Sequence, residues 1–501
     1  MNKENKEMLM TDARLKAPPS EKLVKYVHIP RLEHEKRQFD EFIKVDMAHT
    51  VMLVEQKILS KGDGANILRI LKEIRGKESV GFGWEPSKGS FLLQVESYLF
   101  SRIGEAVGGK MHTGRSRIDQ GATVHRLHAR NRLLEVIKTL NELQNVVLKI
   151  AEKYSKTIMP GYTHMQHAQP WIFGHYLLSF FQEFHQDFLR LTGAYSRANM
   201  NPLGTAALVG TSWPLDRDRT TELLAFDGMI DNSKLGREEY YAAELVGMLS
   251  ITMSYLDALA TDLQVWSTYE FGLVDTADEY CGSSSIMPQK KNPAALERIR
   301  AVGRDSIAWL ATALSSFEGL GTGDTGVREV SVADDALELT DNMLNLMGGV
   351  LDTLIVHEDR MKELVGKNWS TANNLADFLV RKRELSYRTA HHVVARLVAI
   401  AVEERKEPSE TTSEMVDRAA KETIGKTLSV TTKEVRNALD PSVFVKTRAT
   451  KGSINPSEIE RMLKEARETL INEREWISSK RQIITDASKK LEKAMDSIIS
   501  S

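Results

Sequence analysis

Long stretches of the chain repeat apolar residues at helical spacing, with no proline beyond the first turn. Five of them predict long helices, at about residues 120–154, 171–197, 237–269, 293–319 and 332–356. Each carries more apolar positions than one buried stripe requires, which indicates burial on several sides. Helices of this length usually belong to coiled coils or bundles. We therefore expect an all-α subunit built around a central bundle of five long helices, and a homo-oligomer that buries their outer faces.

Shorter helical patterns flank the bundle on both sides. Residues 1 to about 30 are polar and interrupted by prolines, which predicts an extended lead-in. Helical patterns follow over 40–77, with a turn expected at Gly62-Asp63-Gly64, and over about 90–107. A charged final helix is predicted at about 456–497. The predicted domains are an N-terminal helical domain (1–114), a central long-helix domain (115–365) and a C-terminal helical domain (366–501).

Three polar segments, 111–119, 161–170 and 282–293, stand where long helices begin or end. Arg115 and Arg117 lie near a predicted helix start, where their charge opposes the helix dipole. They therefore need another partner, either an acidic side chain of a second helix or an anionic substrate. Guanidinium groups bind carboxylates in a bidentate manner, which favours a carboxylate as that partner.

The third polar segment carries a candidate base. Lys290 lies close in sequence to Ser284, and a serine with a stabilised alkoxide can act as a base or a nucleophile. A solvated Ser/Lys loop is the ordinary alternative, and a lone histidine such as His164 is more often structural than catalytic. The sequence lacks the nucleophile elbow of hydrolases, a P-loop, a dinucleotide fingerprint that follows a predicted strand, and a zincin motif. The side chains that could complete a polyanion pocket are Ser116, Thr163 and Asn292.

Composition and charge narrow the possible partners. The chain of 501 residues is 42% hydrophobic and 27% charged, with 67 basic and 69 acidic residues, which is typical of globular proteins. The near-neutral balance gives no reason to expect nucleic acid or membrane as a partner. One cysteine, Cys281, excludes an internal disulfide and makes a cysteine-based metal site implausible. With a charged N-terminus and no uncharged run long enough to span a bilayer, we expect a cytoplasmic protein without metal or cofactor.

Several motifs resemble one enzyme family. The run Ser284-Ser285-Ile286-Met287-Pro288-Gln289-Lys290-Lys291-Asn292-Pro293 closely resembles the signature loop of the aspartase/fumarase superfamily. Further motifs, in the same order along the chain, are similar to the argininosuccinate lyase branch of that superfamily. They are His112-Thr113-Gly114-Arg115-Ser116-Arg117, Gly161-Tyr162-Thr163-His164-Met165-Gln166, Ala168-Gln169-Pro170, Pro202-Leu203-Gly204, 374–382 and 390–394.

The resemblance implies a three-domain, all-helical subunit that forms a homotetramer around a twenty-helix core. Each active site of the family takes its three motif regions from three subunits. The family reaction is a reversible elimination that releases fumarate from a substituted succinate. The roles implied by position are base for Ser284, proton donor for His164, carboxylate and intermediate binding for Lys290 and Asn292, and substrate binding for Arg115, Ser116, Arg117, Thr163 and Met287.

The sequence departs from the family pattern at four places. Ile118 replaces an asparagine, Ser283 replaces a glycine, and the stretch 90–99 lacks the family's histidine. Residues 323–329 differ from the Tyr-Asn-Lys-Asp-Leu-Gln segment that holds the arginine part in the family. The elimination machinery is therefore retained, while recognition of the leaving group is altered.

We accordingly expect a carbon–nitrogen lyase that releases fumarate from an N-substituted aspartate, with argininosuccinate as the default substrate. The main alternative is another N-substituted aspartate or an aminopolycarboxylate such as ethylenediaminedisuccinate. A non-catalytic structural relative, as in lens crystallins, is disfavoured because Ser284, Lys290, Asn292, Thr163 and His164 are all retained. A fumarase-type carbon–oxygen lyase is disfavoured by the C-terminal motifs.

Overall fold

The computed structural model describes residues 17–317 and 332–500. Residues 323–329, the altered leaving-group segment, lie outside this part of the chain. The helices are α1 (Glu21–Leu23), α2 (Ile29–Arg37), α3 (Phe39–Glu55), α4 (Lys61–Gly81), α5 (Phe91–Ile103), α6 (Glu105–Gly108), α7 (Arg117–Lys153), α8 (Phe173–Ala198), α9 (Arg217–Leu223), α10 (Tyr240–Trp266), α11 (Ala294–Asp305), α12 (Ile307–Ser315), α13 (Val332–Asp352), α14 (Glu358–Val365), α15 (Ala372–Arg383), α16 (Tyr387–Glu403), α17 (Ser413–Ile424), α18 (Thr432–Ala438), α19 (Pro441–Lys446) and α20 (Pro456–Ile499).

The strands are short and form four separate two-stranded pairs within the described residues. They are β1 (Ile158–Thr163), β2 (Gln166–Ile172), β3 (Met200–Asn201), β4 (Gly228–Met229), β5 (Val274–Asp275), β6 (Gly282–Ser283), β7 (Lys291–Asn292) and β8 (Ile355–Val356). β1 pairs with β2, β5 with β8 and β6 with β7, all antiparallel, while β3 and β4 are parallel. The predicted all-α class is confirmed, and the strands only shape the connections between long helices.

The bundle is formed by α7, α8, α10, α13 and the α11–α12 pair. α8 runs antiparallel to α7, because Gly174 donates its N–H to the carbonyl of Tyr154 at one end (3.1 Å). At the other end, Arg126 Nη1 donates to the carbonyl of Arg197 at 2.9 Å. α20 also returns along α7, with ion pairs to it over several turns. The five predicted long helices are therefore present and packed side by side.

The fourth predicted long helix is interrupted at Ser306. α11 ends at Asp305 and α12 begins at Ile307. The Ser306 hydroxyl donates to the carbonyl of Gly303 at 2.6 Å, and Ser250 donates to the Ser306 carbonyl at 2.8 Å. Hydroxyls that bond to helix carbonyls compete with the backbone and bend helices, which accounts for the break.

The predicted extended lead-in is wrong beyond residue 20, because a helical segment begins at Glu21. Ser20 caps it by accepting from the N–H of Leu23 at 3.2 Å. A π-helical turn, Val24–His28, directly precedes Pro30. A proline ring clashes with the carbonyl four residues earlier and lacks an N–H, and a wider turn accommodates both effects. The helical path therefore continues through this proline into α2.

The turn predicted at Gly62-Asp63-Gly64 is also wrong, because these residues form the first turn of α4. Ser60 is the N-cap and accepts from the N–H of Asp63 at 3.1 Å. A Cβ at Gly64 would lie 2.2 Å from a methyl group of Val54. The absence of a side chain at Gly64 allows α3 and α4 to pack closely. The chain turns earlier, between Glu55 and Lys61.

Three clusters of buried apolar side chains organise the described residues. The first joins the bundle helices and the first half of α20, and the second joins α3–α5, the start of α7 and the end of α20. The third lies within α15–α18 and the loops beside them. The predicted domains 1–114, 115–365 and 366–501 remain predictions, and α20 contributes to the first two clusters.

By length and composition, α10 is apolar enough to cross a membrane, the only such helix in 17–317 and 332–500. More than half of its most apolar stretch, 56%, is buried inside the protein. The core helix of a bundle meets the same criterion, and α10 packs against α8, α11 and α13.

A buried charged cluster fixes α3 and α13 to α7. His128 Nδ1 lies 3.7 Å from Glu41 and its Nε2 lies 3.4 Å from Asp334. Burial alone would lower the pKa of His128, but hydrogen bonds and charge from Asp334 and Glu41 outweigh burial and raise it to about 9. The same contacts lower the pKa of both carboxyl groups despite their burial. The three side chains therefore form a charged triad that joins three helices.

We predict that His128→Gln destabilises the protein most at neutral to slightly acidic pH. The folded-state pKa of about 9 exceeds the unfolded value of ~6.5, so the stabilisation is complete below pH ~6.5 and lost as pH rises through 9. The variant should lose about 3 kcal/mol of unfolding free energy at pH 6 and little at pH 10. Urea unfolding at both pH values measures this. His392→Gln, which removes an exposed histidine, is the control, and a pH-independent loss at His128 would contradict the triad.

Candidate active site

The first polar segment is held rigidly at the start of α7 by a capping box. The Ser116 hydroxyl accepts from the N–H of Ile118 at 3.2 Å, and Asp119 Oδ1 accepts from the N–H of Ser116 at 2.8 Å. Asp119 Oδ2 accepts from the N–H groups of Gly204 and Ala206 at 2.8 and 3.0 Å. One carboxylate thus joins two motif segments, and Ser116 keeps its own O–H available to donate to a ligand.

Arg115 lies beneath this segment, fully buried. Its Nη1 pairs with Asp46 Oδ1 at 2.6 Å, and Gln120 Nε2 donates to the same oxygen at 2.6 Å. His49 Nε2–H donates to the carbonyl of Thr113 at 2.9 Å, and burial keeps the pKa of His49 well below its usual value. The carboxylate that Arg115 contacts therefore belongs to the protein. The pair with Asp46 supports the segment that carries Ser116 and Arg117, and the predicted contact of Arg115 with the substrate stays a prediction.

Arg117, two residues further on, is partly exposed to solvent. The structure records no hydrogen bond or ion pair between its guanidinium and any described residue. The neighbouring Ile118 contributes its N–H to the cap and has no polar side-chain group. Ser116 and Arg117 therefore offer a hydroxyl and an unpaired cation at the N-terminal end of α7.

The second polar segment forms the tip of the β1–β2 hairpin. Thr163 pairs with Gln166, so His164 and Met165 make a two-residue loop. Both have positive φ, 53° and 60°, which is the geometry of a type I′ turn. Non-glycine residues adopt it at a cost of about 1–2 kcal/mol. Thr163 and His164 are exposed, so this strained tip presents them outward.

The Ser-rich segment forms a loop closed at its base by β6 and β7. Ser284 Oγ accepts from the N–H groups of Ile286 and Met287 at 3.3 and 3.0 Å. Lys291 is held by Asp275 and Asp278 at 3.0 and 2.8 Å.

Lys290 differs from its neighbour. The structure gives it no ion pair with a described residue, and its side chain is exposed. Met287 is also exposed, while Asn292 is half-buried in β7. The same loop therefore presents Ser284, whose oxygen accepts from two amides, and the exposed ammonium group of Lys290.

Within one subunit the motif residues fall into two groups. α7 has 37 residues and spans ~55 Å at ~1.5 Å per residue. Arg117 begins this helix, whereas the hairpin that carries His164 follows its other end. Tyr162 of that hairpin packs against Phe271, with ring centroids 5.3 Å apart, so the chain that leads to Ser284 lies at the hairpin end. The structure does not bring Arg117 together with His164 or Ser284.

Comparison with known proteins decides the family. A family model described as lyase matches residues 31–305, and one described as argininosuccinate lyase C-terminal matches residues 369–446. The argininosuccinate lyase of Methanocaldococcus jannaschii is 38% identical over 456 residues, covering 90% of this chain and 93% of that protein. The chain belongs to the argininosuccinate lyase family. It is a carbon–nitrogen lyase, which confirms the predicted enzyme class.

Further relatives of this lyase have the same overall length. Argininosuccinate lyase 1 of Shouchella clausii is 34% identical over 481 residues, covering 95% of this chain and 96% of that protein. The crystal structure of EDDS lyase in complex with formate superposes with a TM-score of 0.87 at 31% identity, covering 97% of this chain and 96% of that chain. The fold and its connectivity are therefore those of the family.

The structure adds two positions that the sequence analysis of this lyase missed, Asp46 and the N-cap Ser90. Asp46 lies within a helical run that reads as core, and no local pattern links it to Arg115, 69 residues away. The sequence contains one indication of this contact. Asp46 is a carboxylate on an otherwise apolar helix face, and a buried carboxylate needs a buried partner.

We predict that Asp46→Ala destabilises the protein by about 3–5 kcal/mol, because it leaves the buried Arg115 guanidinium without a counter-charge. Burial raises the pKa of the Asp46 carboxyl, and the Arg115 charge opposes that rise. Urea unfolding measures the loss. The control is Asp63→Ala, which breaks the exposed Lys110–Asp63 pair (2.6 Å) and should cost less than ~1 kcal/mol. Equal losses in the two variants would show that Asp46 does not support the site.

Proposed function

We propose that this lyase releases fumarate from an N-substituted aspartate, with argininosuccinate as the default substrate and arginine as the other product. The proposal rests on the Ser284 loop. Two amide N–H groups point at Ser284 Oγ, and donors of this kind favour the charged form of an oxygen. The free cation of Lys290 lies on the same exposed loop. This combination provides what a serine base needs to remove a proton from carbon.

In the proposed elimination, each proton transfer and each developing charge is assigned to one residue. Ser284 takes a proton from the carbon beside a carboxylate, and the electron pair moves into that carboxylate. Lys290 and Asn292 hold the additional negative charge, which fixed donors stabilise more strongly than water does. The pair then returns to form the carbon–carbon double bond of fumarate while the carbon–nitrogen bond breaks. His164 donates a proton to the departing nitrogen, so atoms and charges balance.

Ser116, Arg117 and Thr163 bind the carboxylates of the substrate in this scheme, and Met287 contacts it from the loop. Because α7 keeps Arg117 ~55 Å from the hairpin, we propose that the site is assembled from segments of three subunits in a homotetramer. The proposed setting is the cytoplasm, in arginine biosynthesis. Closure of the Ser284 loop over the substrate would exclude water from the reacting atoms.

A second candidate is a lyase for a different N-substituted aspartate, including an aminopolycarboxylate. Ile118 favours it, because an isoleucine cannot replace the hydrogen bonds of the family's asparagine. A missing hydrogen bond of this kind costs about 1–3 kcal/mol, which is roughly five- to hundredfold in affinity. The similarity to EDDS lyase, a TM-score of 0.87, also supports it.

Fumarate release is tested by absorbance after mixing purified protein with a panel of N-substituted aspartates. Release from argininosuccinate supports the first candidate, and release only from aminopolycarboxylates supports the second. No fumarate from any member at high enzyme concentration would refute the lyase proposal for this chain.

We predict that Ser284→Ala lowers kcat by roughly 10²–10⁴-fold, the usual contribution of a positioned base. The fold and the oligomer should be unchanged, because the Ser284 hydroxyl bonds only within its own loop. Steady-state kinetics with size-exclusion chromatography measures both.

The matched control is Ser283→Ala, one residue away. The family has glycine at this position, so the hydroxyl is not needed and activity should be retained. Wild-type turnover in Ser284→Ala would remove Ser284 from the role of base.

A further inference from the structure

A small cavity lies beside the first turns of α7, and the sequence analysis did not assign it. Its walls come from one face of α2, the start of α5 and one face of α7. On α7, Arg117, Gly121 and His125 are spaced four residues apart, so they share a face. The cavity volume is about 40 Å³, which fits a group of the size of a carboxylate. It therefore lies directly against the exposed substrate-binding end of α7.

The cavity contains more positive than negative charge. Arg31 and Arg117 both line it, and Glu35 is the carboxylate among its lining residues. Glu35 is already engaged, since Arg31 Nε donates to its Oε1 at 3.0 Å and the N–H of Phe91 donates to its Oε2 at 2.5 Å. Burial lowers the pKa of Arg117, and the nearby charge of Arg31 lowers it further. Two guanidinium groups thus face one space with a single, saturated carboxylate.

Ser90 provides an independent indication of a ligand. It lines the cavity, is only 5% exposed, and its hydroxyl has no hydrogen-bond partner among the described residues. Ser90 is the N-cap of α5, yet its side chain makes no capping bond. An N-cap serine normally satisfies a helix amide, and leaving a buried hydroxyl unpaired costs about 1–3 kcal/mol. A hydroxyl held in this way is available to donate to a bound oxygen.

Among the described residues, the cavity therefore offers donors and excess positive charge without a free acidic group, which suits a carboxylate and not a metal cation. We propose that Arg31, Ser90 and Arg117 form a subsite that binds a carboxylate carried by the leaving amine. This inference rests on the proposed function and favours its second candidate: N-substituted aspartates whose amine product bears a carboxylate near the nitrogen, which arginine, with its carboxylate at the far end of the side chain, does not. Arg31 and Ser90 are the specificity-determining residues of this subsite.

The position of the cavity indicates that the bound carboxylate belongs to the leaving amine and not to the part of the substrate that becomes fumarate. Fumarate is common to the family, so the residues that hold it are expected among the retained motifs. The cavity shares Arg117 with a retained motif, whereas the rest of its wall adjoins the departures. Ile118 follows Arg117, and Ser90 and Leu92 of the wall belong to the stretch 90–99 that lacks the family's histidine. Arg31 lies outside every motif that carries the family resemblance.

Two isosteric ligands test the subsite without turnover. N-(carboxymethyl)aspartate carries the additional carboxylate, and N-(carbamoylmethyl)aspartate replaces it with a neutral amide. Isothermal titration with the full-length Ser284→Ala protein should show the carboxylate ligand binding roughly ten- to hundredfold more tightly. Adding Arg31→Gln should remove most of this preference. Adding Ser90→Ala should reduce it by roughly threefold, the effect of one hydrogen bond.

Arg102→Gln is the matched control, because Arg102 is 49% exposed and paired with one glutamate, much as Arg31 is 46% exposed and paired with Glu35. It should keep the full preference. Ser90→Ala removes no cap bond and removes an unpaired buried hydroxyl, so its unfolding midpoint should equal or exceed that of the parent and a folding defect cannot explain its effect.

Three results would overturn the subsite. They are equal binding of the two ligands, no binding of either, and a preference that survives both Arg31→Gln and Ser90→Ala. The affinity for fumarate shows whether the cavity binds the carboxylate of the leaving amine or that of the succinyl part. Fumarate affinity should be unchanged in Arg31→Gln and Ser90→Ala. A loss of fumarate affinity as large as the loss for N-(carboxymethyl)aspartate would place the succinyl carboxylate in the cavity instead. Because the titration needs no turnover, it decides the subsite even if the substrate panel refutes fumarate release.

Discussion

The continuity of α7 is the constraint on which the rest of the molecule depends. A helix of 37 residues without a break acts as a rigid spacer between the segments at its two ends. The apolar faces of α8, α13 and α20 pack along it and keep those segments apart. In the proposed mechanism, the polar residues that serve the reaction are thus held far apart within a single chain, and association of chains brings them together. Under that proposal, assembly is required for activity.

Buried ion pairs lie near the N-terminal end of α7, where the positions of Ser116 and Arg117 depend on how neighbouring helices are aligned. The Arg115–Asp46 pair lies under the segment that carries Arg117, and the His128 triad joins α3, α7 and α13 a few turns away. Buried ion pairs contribute little net stability compared with apolar packing. Their value is geometric, because each fixes the register of one helix against another. Apolar contacts alone would hold the same helices together with less defined positions.

The sequence was informative wherever local pattern determines structure. Helical periodicity located the five long helices, and a serine followed by an aspartate three residues on marks the cap at Ser116. It failed where distant residues decide. Whether Arg115 meets a substrate or Asp46 depends on tertiary packing that no local pattern records. The hairpin tip at His164 and Met165 lacks the glycine or asparagine that normally signals such a turn, and α2 was hidden by Pro30.

The course of α20 has a consequence for synthesis of the chain. The core that contains α3–α5 also requires Leu491, Met495 and Ile498 of α20, which lie between 0% and 6% exposed. These residues leave the ribosome long after Leu224 and Phe226, the latest of the other members of the same core. At ~5–20 residues per second, the N-terminal helices wait roughly 13–53 s with an open apolar groove. The core around α3–α5 is therefore completed only when α20 has been synthesised. Until then, the apolar groove that α20 later fills is the surface that a chaperone would cover.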